Sequence, residues 1–76
     1  MINSWTPEPE DIEWTKRLID SLCDGGCWAV PASLSIYTFN KKQKEYTLVG
    51  DCTHCCNQRI MKVLTQLGYS LKQNVN

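Results

Sequence analysis

Five cysteines fall in two short stretches of a 76-residue chain, at 23 and 27 and at 52, 55 and 56. Thiolates in two close pairs, 24 residues apart, suit tetrahedral zinc. Each pair fills two coordination positions with little loss of chain entropy. Cys23, Cys27, Cys52 and Cys55 would then be the ligands of one zinc ion, with His54 and Cys56 alongside as spare donors. The same residues support a plainer chemistry, because free cysteine packs as a small hydrophobe. Cys23 follows Ile19 by four residues and Cys56 precedes Ile60 by four, each on an apolar stripe of helical period. Cys27 leads the apolar run Cys27-Trp28-Ala29-Val30. This periodicity favours packing, and no cofactor, over zinc. A disulfide framework is the least favoured, since five is an odd number and a reduced compartment is expected.

His54 and Cys55 are types that support nucleophilic catalysis. However, successive helical residues point about 100° apart, and no orienting third group is evident. The expectation is a protein without catalytic residues. Charge offers another kind of work. The net charge is zero, but residues 1–24 hold six acids and two bases while residues 25–76 hold six bases and two acids. Such a dipolar molecule can dock on complementary patches, and it lacks the overall positive charge of a dedicated nucleic-acid binder. Glu10, Asp11, Glu13, Trp14 and Arg17 would form an acidic helical face with an exposed indole, which suits a protein-binding hot spot. Lys41, Lys42 and Lys44 would crown a hairpin beside Tyr37, Phe39 and Tyr46. Basic groups next to aromatics can hold single-stranded nucleic acid, although charged hairpin tips more often serve solubility.

The elements that position these residues follow from period and punctuation. Thr6-Pro7 starts a helix, the acids of its first turn complement the dipole, and Asp24-Gly25-Gly26 stops it. Leu34–Phe39 and Glu45–Val49 read as the strands of a hairpin. Asp51 or Thr53 caps a second helix with the stripe Cys56, Ile60, Val63, Leu64 and Leu67, which ends at Gly68 with Tyr69 folding back. A short strand at 69–71 can follow. The fold class is α+β: two helices on one face of a small antiparallel sheet, in a single domain spanning 1–76 with frayed ends at 1–6 and 72–76. No apolar run reaches the roughly 20 residues of a membrane span, and no signal peptide is visible. The expected location is the cytoplasm.

Two resemblances attach to these residues. Residues 23–67, with a cysteine-flanked Gly-Gly turn, a hairpin and a helix carrying Cys52 and Cys55 at its start, resemble a treble-clef zinc finger. The knuckle here has three intervening residues where that family has two. The stretch around Asp24, Gly25, Gly26, Trp28, Ala29, Val30, Pro31 and Ser33 is similar to a class of small bacteriophage-encoded proteins with an acidic helix, a DGG-x-WAVP-x-S turn and a hairpin, over residues 11–51. In that class the position of Cys27 is apolar. This resemblance implies a phage accessory protein in the bacterial host cytoplasm. Its partner would be a host protein or protein–nucleic acid complex, either the transcription machinery or a nucleic-acid-guided defence complex. It implies no chemistry. The treble-clef resemblance implies instead a zinc-stabilised module that binds nucleic acid or protein.

Overall fold

An acidic turn opens the first helix. The computed structural model describes residues 5–23 and 26–75, and helix α1 spans Pro9–Ser21 with Glu8 as its N-cap. The Asp11 carboxylate accepts the Glu8 N–H at 3.2 Å, so an acid at the third helical position satisfies an orphan donor of the first turn. The start lies two residues beyond the Thr6-Pro7 expected, because Pro9 takes the first-turn place that proline tolerates. Leu22 caps the other end, so Cys23 lies past the helix and is exposed. The expected stop at Asp24-Gly25 falls outside the described residues.

Four strands form one sheet in the order β1-β2-β3-β4. Strand β1 (Cys27–Val30) pairs antiparallel with β2 (Ser35–Asn40) through a tight turn at Pro31–Ser33. β2 pairs antiparallel with β3 (Glu45–Val49) as the expected hairpin. Helix α2 (Cys55–Gln66) then returns the chain to β4 (Ser70–Val75), which lies parallel to β3. The sheet is therefore mixed rather than purely antiparallel, because a helical crossover brings the next strand back in the same direction. Residues 72–75, expected to fray, are the last four residues of β4. The Asn74 side chain ties them down by donating to the carbonyls of Leu48 and Gly50 at 3.1 and 3.0 Å.

Alternation along the strands decides which face is buried. Tyr37 and Phe39 of β2 and Tyr46 and Leu48 of β3 turn inward, where Ile19 of α1 and Leu64 of α2 cover them. Both helices thus pack on one face. On the other face Ile36, Val49 and Val75 remain uncovered, each 43 % exposed. α2 ends in a Schellman motif: Tyr69 N–H donates to Leu64 O at 2.9 Å and Gly68 N–H to Thr65 O at 3.0 Å. Gly68 supplies the left-handed φ of 86° that the motif needs. Tyr69, expected to fold back on the last turn of the helix, buries its ring edge-on against Phe39 of β2.

Asn57, which no motif singles out, is the polar centre of the core and is fully buried. Its oxygen accepts the hydroxyls of Ser33 (3.0 Å) and Tyr37 (2.8 Å), and its amide donates to Ser35 Oγ (2.7 Å) and Asp51 O (2.8 Å). All four hydrogen-bonding positions of the carboxamide are used. Gly50 makes room for this network, since a Cβ there would meet Ser35 Cβ at 2.9 Å.

Candidate functional site

The first candidate lies between the helices. Trp14 on α1 is 58 % exposed, and its ring meets Trp28 of β1 edge-on, with centroids 5.9 Å apart and planes at 66°. Trp28 leans in turn on Tyr37 at 5.6 Å, so an aromatic chain runs from the surface into the core. Across from it, Ile60 and Val63 of α2 supply aliphatic wall, and the result is an open groove of about 280 Å³. Trp5 closes one end. The Arg59 guanidinium lies 5.4 Å over its ring, and Lys62 Nζ donates to its carbonyl at 2.9 Å. Residues before α1, expected to be irregular, are thus clasped by α2 from Trp5 onward. Asp11 and Thr15 line the α1 side, with the buried Thr15 hydroxyl turned back to Asp11 O at 2.8 Å.

Of the acids on α1, Asp11 borders the groove, whereas Glu13 lines a separate hollow with Lys16 and Arg17. Glu10, Asp11 and Glu13 are exposed, and Glu13 pairs with Arg17 at 2.8 Å one turn on. Both side chains are largely exposed, so the pair contributes little to stability.

The three lysines of the hairpin separate into different roles. Lys41 reaches across to α1 and donates to the carbonyls of Asp20 (3.3 Å) and Leu22. It places a cation at the negative end of the helix. Lys44, with a positive φ of 56°, lies 5.0 Å over the Tyr69 ring. Lys42 is exposed and borders a hollow on the open sheet face with Glu45 and Lys72. Tyr37, Phe39 and Tyr46, the rings expected to stack bases beside these lysines, are all buried. Burial pushes the Tyr46 hydroxyl up to about 12 and Tyr37 higher still, with the neighbouring Tyr46 and Cys56 adding to the effect.

The cysteines divide as well. All five are free thiols. Cys23, Cys27 and Cys55 are exposed, whereas Cys52 and Cys56 are half-buried, and Cys52 packs against the core. Cys27 is turned to the open face, opposite in the strand to Trp28. Among the described residues, the group of three donors whose ligating atoms lie within 4.8 Å of one another is His54, Cys55 and Cys56. The structure does not gather Cys23, Cys27, Cys52 and Cys55, and only Cys55 belongs to both sets. This cluster can hold a metal ion. His54 is the N-cap of α2: its Nδ1 accepts the Cys56 N–H at 3.1 Å. The expected caps serve the turn before it, where the Asp51 carboxylate accepts Thr53 N–H and Oγ–H at 2.9 and 2.6 Å. Those two bonds hold the Asp51 carboxyl below its usual range.

No family model, curated protein or solved structure matches the chain. Among the described residues no helix is long and apolar enough to cross a membrane. The Trp28–Arg59–Trp5 side of the groove escaped the sequence reading, because these residues lie far apart in the chain and only the packing of α1, β1 and α2 joins them.

Proposed function

We propose that this chain is a non-enzymatic binding protein that docks its α1 face and the adjoining tryptophan groove on a basic surface of a larger complex. The exposed Trp14 beside Trp28, at the mouth of a groove that Asp11 lines, with Glu10 and Glu13 exposed on the same helix, carries this reading. An indole next to an apolar groove supplies the desolvated anchor of an interface, and the carboxylates around it supply steering and selectivity. The commitment of Lys41 and Lys44 to α1 and Tyr69, and the burial of the hairpin's rings, support a protein surface over single-stranded nucleic acid as the target. The capping bond on His54 supports a structural rather than a catalytic imidazole. The resemblance to phage accessory proteins directs the choice of target to a host machine: RNA polymerase and its regulators first, a nucleic-acid-guided defence complex second. In either case the acidic helix would imitate nucleic acid in charge.

The test is binding of the purified chain to bacterial RNA polymerase over a range of salt. Affinity is expected to fall steeply as salt rises. Trp14→Ala should cost about 2 kcal/mol of binding energy, the scale of an interface anchor. The double charge reversal Glu10→Lys/Glu13→Lys should slow association. A complex indifferent to salt and to both variants would overturn the docking face. Absence of binding would reject the polymerase and leave the defence complex as the target to assay.

A further inference from the structure

We propose that His54, Cys55 and Cys56 form a site for one thiophilic divalent ion of the zinc class, and that loading this site displaces the histidine cap of α2. Two sulfurs and one imidazole nitrogen already lie within 4.8 Å of one another. Around zinc, with bonds of about 2.0–2.3 Å, tetrahedral donors stand roughly 3.5–3.8 Å apart. Small side-chain rotations close that difference. The donor set contains no carboxylate, which disfavours calcium and magnesium and suits a soft ion. Two thiolates also neutralise a divalent ion. The loaded site therefore places no net positive charge at the helix N-terminus, which would repel it. His54 and Cys56 are half-buried and anchor the site, while the exposed Cys55 leaves the fourth position open to water.

The cap gives the site its distinctive property. With Nδ1 accepting the Cys56 N–H, the neutral ring carries its proton on Nε2. Coordination through Nε2 displaces that proton, and the ring proton then resides on Nδ1, where it opposes the Cys56 N–H. Coordination through Nδ1 uses the capping lone pair directly. By either nitrogen the cap bond is lost, and the two thiols release their protons to solvent as their sulfurs bind the metal. The site is thus distinct from a treble clef built on Cys23, Cys27, Cys52 and Cys55, with which it shares one sulfur.

The experiment titrates the full chain with Co²⁺ as a spectroscopic stand-in for zinc, in a non-thiol reductant. One ion per chain is expected, with sulfur-to-metal charge-transfer absorption that added Zn²⁺ abolishes. His54→Asn keeps a side-chain oxygen to cap the helix, so circular dichroism should remain native. Its Co²⁺ affinity should nevertheless fall by more than the roughly tenfold that even an outer-shell partner is worth. Cys55→Ser and Cys56→Ser should each weaken binding likewise and diminish the charge-transfer band. Cys23→Ser, Cys27→Ser and Cys52→Ser should leave it unchanged. Hydrogen exchange at the Cys56 amide should accelerate when zinc is added. The proposal is overturned by an absent charge-transfer band, by wild-type affinity in His54→Asn, or by loss of binding in any of the last three serine variants. A Cys56 amide whose protection survives zinc loading would overturn the displacement of the cap.

Discussion

Asn57 shows how much a single side chain can hold. Its carboxamide joins the turn after β1, the middle of β2 and the loop before α2 through four hydrogen bonds, none of which water can replace in a fully buried position. Truncation would orphan the Tyr37 and Ser33 hydroxyls and would leave the Asp51 carbonyl with the His54 N–H alone. Leaving a buried polar group unpaired costs about 1–3 kcal/mol, so Asn57→Ala should lower stability by about 3 kcal/mol or more in a urea melt. Asn57→Asp should be at least as damaging at neutral pH, because a carboxylate can only accept where the native amide donates to Ser35 and Asp51. A loss under 1 kcal/mol for the alanine variant would mean that the network is not what organises this end of the core. The sequence did hold a signal: Asn57 stands three residues before Ile60 and seven before Leu64, on the apolar stripe of α2, and a polar residue in such a stripe must find buried partners.

At the scale of elements, α1, the hairpin and α2 were legible because each carries its own period and punctuation. β4 was not. Ser70–Val75 has every residue exposed and shows no alternation of polar and apolar residues. Its place beside β3 comes instead from the length of α2 and from backbone pairing, including Ser70 N–H to Lys44 O and Gly50 N–H to Val75 O. Helix starts were misjudged, by two residues for α1 and by one or three for α2, for a similar reason, whereas the stop of α2 at Gly68 was not. Thr6, Asp51 and Thr53 are all good caps, and local chemistry alone does not choose among neighbouring candidates. The candidate groove was legible on its α1 side, from the acids around Trp14, and illegible on its β1 and α2 sides. Lys41 illustrates contact across elements: a hairpin residue stabilises the end of a helix 19 residues away in sequence. Lys41→Met keeps the aliphatic stem and removes the cation. It should cost about 1 kcal/mol, with faster amide exchange in the last turn of α1 while the hairpin stays protected. Uniform loosening of both elements would refute this local role.

For the whole molecule the decisive property is that the aromatic core contains hydroxyls. Tyr37 and Tyr46 stay protonated in the fold well above the ordinary value of 10.0, Tyr46 up to about 12. The unfolded chain ionises first, so stability is intact below about pH 10 and declines as pH rises from there through 12. An alkaline titration should show unfolding and tyrosinate absorption rising together in that window. Tyrosinate absorption complete near pH 10 with the fold unchanged would show that these hydroxyls are accessible to solvent. Below that range the same burial has no such effect, because both states hold the proton.

The edge-on contact of Trp14 with Trp28 has an optical consequence. Two indoles with centroids 5.9 Å apart and planes at 66° are close enough for their electronic transitions to couple. Crossed transition dipoles at such range give a paired, oppositely signed signal in circular dichroism. One member of the pair is held by the core and the other stands at the surface. Any guest that rotates or wedges aside the outer ring would therefore alter that signal without a label. The molecule carries a built-in reporter for whatever occupies the face between its helices.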